Sequence, residues 1–198
     1  MASDAVALIK DDHRRMEQLF ARLKTGDGDR RALVAEVEVR LIAHARAEES
    51  EVYPTIAKKA GEQDEVEHGN HEHFEAEHHL RKVINLIDSP HFDQALEEFV
   101  AAVDHHVQEE ESELLPALQK AVGKQALAEL GTAFERARLD HLRAAGHEES
   151  TTSAELELTD ATRDELYEKA KEADVPGRSH MKKDELIEAL REQPSHGK

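Results

Sequence analysis

His44-Ala-Arg-Ala-Glu48-Glu-Ser-Glu-Val-Tyr-Pro54 returns sixty-two positions later as His106-Val-Gln-Glu-Glu110-Glu-Ser-Glu-Leu-Leu-Pro116. In each copy a histidine and a glutamate are four residues apart, and a proline stands ten after the histidine. Residues i and i+4 of a helix share one face, a turn apart, so an imidazole and a carboxylate at this spacing can grip one metal ion.

The apolar residues around each copy decide which way the pair points. Val34, Val37 and Leu41 precede His44 by ten, seven and three residues, and Leu96, Phe99 and Val103 precede His106 by the same intervals. Val52 and Ile56 continue the stripe after Glu48, as Leu114 and Leu118 do after Glu110. The histidine and glutamate therefore lie inside an apolar stripe and turn inward. Such groups cost several kcal/mol when buried without a partner, and a metal ion supplies one.

Helices on either side complete the pattern. A first helix is expected after Ser3, with Val6, Ile9, His13, Met16, Phe20 and Leu23 on one face, ending at Thr25-Gly26-Asp27-Gly28. A second runs from Asp29 towards Lys59, disturbed near Pro54 and stopped by Gly61. A third carries Val66, His73, Ala76, Leu80, Val83 and Ile87, and a fourth follows with Ser89 as N-cap and Pro90 as first residue, reaching Val122. Helices one and three repeat at an offset of sixty: His13 aligns with His73, Phe20 with Leu80 and Leu23 with Val83. The chain thus reads as two helical hairpins, each giving one histidine from its first helix and His-x-x-x-Glu from its second. The expectation is all-α: an up-down-up-down four-helix bundle with two metal half-sites in its core.

Of the other third-helix histidines, His71 and His78 fall on the solvent side, and His79 sits at the core edge. Glu77, four after His73, is positioned to add an oxygen ligand. The acidic runs read as solvated faces at every position except Glu48 and Glu110, with support of the ligands as the lesser alternative for Glu49 and Glu109. Tyr53 reads first as core packing.

Composition narrows the chemistry. There is no cysteine among the 198 residues, which excludes intrachain disulfides, thiolate and iron–sulfur sites and a catalytic thiol, so metal ligands must come from the carboxylates and the 14 histidines. A formal charge of −18 disfavours attraction of the whole chain to nucleic acid or anionic membrane. The N-terminal stretch lacks a basic region and a long apolar run, which makes the cytoplasm the expected compartment and no membrane partner expected.

The order His, then His-x-x-x-Glu, then the same again, met by His13, His44, Glu48, His73, His106 and Glu110, resembles the hemerythrin-like HHE cation-binding proteins over residues 4 to 122. The resemblance implies two non-haem iron ions bridged by the two carboxylates and capped by histidines, able to meet O2, peroxide or nitric oxide. Oxygen-carrying hemerythrins place histidine at both ends of a His-x-x-x-His in the third helix, where this chain has Glu77. That departure implies a more oxygen-rich iron and favours redox turnover or sensing over oxygen carriage. Manganese suits the same bridged ligand set, and zinc is the alternative for a closed tetrahedral one.

Past the bundle, Lys124 to Leu142 reads as a further helix with Leu127, Leu130, Phe134 and Leu142 as its contacts, closing a first domain at residues 1–145. Residues 146–157 are small and polar, a linker. Residues 158–193 form a second unit: two short helices flank Pro176-Gly177, with a capping box at Thr162 and Glu165. It resembles the helix-extended-helix module at the N-terminus of transcription termination factor Rho, related to SAP-type modules, which implies a nucleic-acid or protein partner. Residues 155–198 hold 8 Lys plus Arg against 12 Asp plus Glu, but Arg178, Lys182 and Lys183 cluster at the turn. Three function classes follow: catalase-like oxidant defence, an O2, nitric oxide or iron sensor signalling through the second unit, and metal storage. The first leads, because two adjacent redox metals can take and return the two electrons of peroxide.

Overall fold

The computed structural model describes residues 4–147, 162–173, 175–178 and 181–191. It divides into two compact units, Met1–Glu148 and Glu149–Lys198. Every regular element among the described residues is helical, and none of these helices is long and apolar enough to cross a membrane.

The first unit opens with α1, Ala5–Thr25, whose N-terminus is capped by the Asp4 carboxylate accepting from the Ala7 amide. Asp29 caps α2, Arg30–Ala47, in the same way through the Ala32 amide. The α2 rod continues through a π turn at Glu48–Val52, one α turn at Tyr53–Thr55 and a second π run at Ile56–Ala60. It stops at Gly61, whose φ of 80° suits a residue without a side chain. Helix α3 spans Gln63–Asn85, and α4 spans Phe92–Glu109 and continues through a π turn at Glu110–Leu114 into Leu115–Ala121. Helix α5, Lys124–Ala144, packs on α1 and α2.

Two expectations need correcting. Ser89 and Pro90 do not start α4: the Ser89 hydroxyl accepts from the His91 amide and its carbonyl from the Phe92 amide, so both residues belong to the preceding turn. The helix disturbance expected at Pro54 begins at Glu48 and recurs at Glu110. There the Tyr53 and Leu115 amides donate five residues back, to the Glu48 and Glu110 carbonyls. Each precedes a proline whose ring would press on the carbonyl four residues before it, Ser50 or Ser112, and widening the turn relieves that clash.

On all four bundle helices the inward histidines and glutamates separate two apolar blocks. One contains Met16, Phe20, Val37, Leu80 and Phe99, and the other Ile9, Val52, Ile56, Leu115 and Phe134. Burying each large side chain is worth roughly 1.5–3 kcal/mol. An unpaired buried carboxylate costs several. Two blocks of apolar burial thus offset one polar layer.

In the second unit, α6 (Arg163–Glu172) and α7 (Lys183–Arg191) enclose a small core of Leu166, Ala170, Val175 and Leu186. The Glu165 side chain of the expected capping box, and residues 148–157 of the expected linker, lie outside what is described. A cap does form at α7, where Glu185 accepts from the Lys182 amide at 2.7 Å.

Candidate metal centre

Four imidazoles and two carboxylates meet in the polar layer. His13, His44, Glu48 and Glu110 form one group of convergent ligand atoms, and Glu48, His73 and His106 a second, so that Glu48 is common to both. His13 and His44 have ring centroids 5.0 Å apart, and His73 and His106 4.5 Å apart. Glu48 Oε2 lies 3.3 Å from His44 Nε2 and 3.4 Å from His73 Nε2, while Glu110 Oε2 lies 3.3 Å from His13 Nε2. Both glutamates are fully buried.

A carboxylate anchors the outer nitrogen of every ring. His13 Nδ1 lies 2.9 Å from Glu111, His44 Nδ1 3.2 Å from Asp12, His73 Nδ1 3.1 Å from Glu49 and His106 Nδ1 2.9 Å from Glu72. This follows the internal repeat. The residue before the first-helix histidine serves the second-helix histidine of its own hairpin, and the residue after each buried glutamate serves the first-helix histidine of the other hairpin. With Nδ1–H donated outward, each Nε2 that has lost its proton turns a lone pair inward, the arrangement that orients metal-binding histidines.

The inward atoms then make close polar contacts but no hydrogen bond of normal geometry. The Nε2 atoms of His13 and His44 and all four oxygens of Glu48 and Glu110 are buried without a hydrogen bond. His73 Nε2 and His106 Nε2 approach to 3.0 Å, a repulsive contact between two lone pairs unless a cation or proton stands there. Nitrogen and carboxylate donors of this kind suit divalent first-row ions. The donor set fits a metal centre.

Residues 4–118 match the family model described as the hemerythrin HHE cation binding domain. The chain belongs to that family. Residues 157–196 match the N-terminal domain of Rho termination factor. An uncharacterized hemerythrin-like protein of Schizosaccharomyces pombe is 27% identical over 135 residues, covering 66% of this chain and 66% of its own length. A Nostoc protein described as a DNA nickase is 24% identical over 138 residues, covering 66% of this chain but 38% of its own length. The chain thus spans slightly under two thirds of the first relative and well under half of the second. No solved structure matches.

This hemerythrin-family centre is strongly polarised. Burial and the adjacent Glu110 raise Glu48 well above the usual carboxylate range. Burial opposes charge on Glu110 too, but His13, His106 and His44 hold it down to about 2. Burial likewise opposes a charged His13, yet Glu110 and Glu48 prevail and raise it to about 9. Burial lowers His44 to about 4, against the pull of Asp12. Two carboxylates packed together resist ionising at once, so burial beside Glu110 favours the protonated form of Glu48 when no metal is bound.

Glu77 is outside both ligand groups. Its carboxylate holds Arg46 at 2.5 Å and Arg81 at 3.5 Å, and Arg46 in turn grips Glu49, the partner of His73. Glu109 pairs with His68 and His105 rather than with an inward histidine. His71 and His78 are exposed and His79 is half-buried. Tyr53 both packs in the core and reaches the site: its ring stacks on His73 and its hydroxyl lies 3.5 Å from His73 Nε2. Asp12, Glu72 and Glu111 were not singled out by spacing alone. Their signal was the repeat itself, which sets an acid beside each of His13, Glu48, His73 and Glu110 in both halves.

A cavity of about 20 Å³ adjoins the four imidazoles and is walled by Met16, Leu41, Ala76, Val103 and Val107. That is room for one molecule of water size.

Proposed function

We propose that residues 4–122 hold two non-haem irons and that the centre disproportionates hydrogen peroxide in oxidant defence. His13 and His44 would hold one iron and His73 and His106 the other, with Glu48 and Glu110 as their carboxylate ligands. The carrying observation is the set of buried, inward-facing Nε2 and carboxylate atoms left without hydrogen bonds. Two adjacent irons would supply the two electrons that peroxide disproportionation takes and returns.

The chain's own residues set the conditions. Asp12, Glu49, Glu72 and Glu111 hold the outer imidazole protons, so the rings cannot turn away. The apolar wall of the small cavity admits one small molecule and keeps bulk water out. Burial and the surrounding carboxylates raise Tyr53, so its phenol keeps its proton as a hydrogen-bond donor beside His73. Without cysteine, no thiol competes for peroxide.

O2 release from peroxide by the iron-loaded protein tests this reading. Release is expected from wild type and is expected to fall by at least tenfold in Glu48→Ala and Glu110→Ala, with iron measured alongside. Release no greater than from free iron, together with a reversible O2 adduct, would favour a second reading. In that reading the centre senses O2 or nitric oxide, and the second unit carries the signal to a nucleic acid or protein. The match to the Rho N-terminal domain and the exposed Lys182 and Lys183 favour it.

A further inference from the structure

Glu72 uses one oxygen on His106. The other, Oε1, is buried and has no hydrogen bond, although the residue is only 8% exposed. It points to the outer face of the α3–α4 hairpin, where His68, Glu72 and Glu109 bring three ligand atoms together. His68 Nε2 lies 3.6 Å from Glu72 Oε1 and 3.1 Å from Glu109 Oε2. His105 Nε2 flanks them, 3.8 Å from the same Glu72 oxygen and 3.3 Å from Glu109 Oε1.

These spacings bracket the edge of a tetrahedron about a small cation, about 3.3 Å for metal–ligand bonds of about 2.0–2.1 Å. Simple ion pairing of exposed histidines with these acids would contribute about 0–1 kcal/mol and leave Glu72 Oε1 unsatisfied.

The other half of the bundle solves the same problem without a site. By the internal repeat, His68, His105 and Glu109 correspond to Leu8, Ala43 and Ala47, and Glu72 to Asp12. There α5 covers the hairpin and Arg138 reaches Asp12 at 3.5 Å. The α3–α4 face has two imidazoles and a carboxylate where the α1–α2 face has apolar residues and an arginine.

We propose that Glu72, Glu109 and His68 form a separate mononuclear site for a divalent cation of the zinc class, with the flanking His105 close enough to join it. One imidazole and two carboxylates converge there, and the second imidazole would complete the four donors of a tetrahedral zinc site. Glu72 then spans two centres, with Oε2 on the His106 ring and Oε1 on the outer ion. The proposal rests on the spare Glu72 oxygen and the exposed histidines, and holds whatever metal occupies the bundle core.

The test is equilibrium dialysis of the full-length, metal-loaded chain against Zn2+, followed by elemental analysis. His68→Ala/Glu109→Gln is expected to hold one zinc fewer per chain than wild type, with iron unchanged. His105→Ala is expected to bind that zinc at least tenfold more weakly, and His71→Ala, on an exposed histidine of the same helix, to match wild type. Equal zinc in wild type and the double variant would overturn the site. An equal loss in His71→Ala would overturn it as diffuse surface binding. Loss of iron in step with zinc in the double variant would overturn its separateness and make these residues supports of the inner centre.

Discussion

At the scale of single residues, the centre is governed by protons that a metal must displace. In the metal-free chain at neutral pH His13 is charged, since Glu110 outweighs its burial and raises it to about 9, while burial and the adjacent Glu110 push Glu48 well above the usual carboxylate range. A metal must displace the His13 proton to use its Nε2, and any proton that the raised Glu48 still holds, so binding at pH 7 releases at least about one proton. Affinity therefore falls as pH falls below about 9, by roughly tenfold per unit for each displaced proton. Calorimetry of iron(II) or manganese(II) binding in buffers of different ionisation enthalpy counts them, and a count near zero would show that His13 is not a ligand. The six inward residues were legible because each sits at a repeated interval in an apolar stripe. The four acids on the outer nitrogens were less so: an Asp or Glu beside a histidine is common on solvated faces, and only the folded chain shows that Asp12 and Glu72 turn with the ring. Glu77 shows the converse, since its i+4 spacing from His73 is correct but Arg46 lies nearer and takes it.

At the scale of elements, the π turns explain how one helix face carries both ligands and core. His44, Glu48, Val52 and Ile56 are spaced by fours, as are His106, Glu110, Leu114 and Leu118. On a regular α-helix three such steps rotate the last residue about 120° from the first. The wider turns absorb that drift, and Val52, Ile56 and Leu118 end fully buried. The run of fours was present in the sequence, but only its proline was read as a disturbance. Helix α3 makes a matching concession at Gly69, where a Cβ would meet the Tyr53 hydroxyl at 2.8 Å. Because Tyr53 is buried and stacked on His73, it cannot yield freely. Gly69→Ala is expected to cost about 1–3 kcal/mol by overpacking. For a chain of this size that is a fall in Tm of roughly 2–12 °C. Thermal unfolding by circular dichroism measures it, and an unchanged Tm would mean that Tyr53 moves aside without strain.

At the scale of the whole molecule, the ligands and the apolar blocks flanking them belong to Met1–Glu148, and the second unit has its own small core. A chain lacking residues 155–198 is expected to fold and to retain its metal, checked by helical circular dichroism and elemental analysis. An apo or unfolded truncation would show that the first unit depends on the second. Within the bundle, the offsets of sixty and sixty-two make the two hairpins equivalent contributors to one centre. The most direct test is therefore the iron content per chain of the purified protein, in wild type, His44→Ala and His106→Ala. About two irons in wild type and an equally severe loss in both variants are the expected result. One zinc per chain, or full metal retention in either variant, would contradict it.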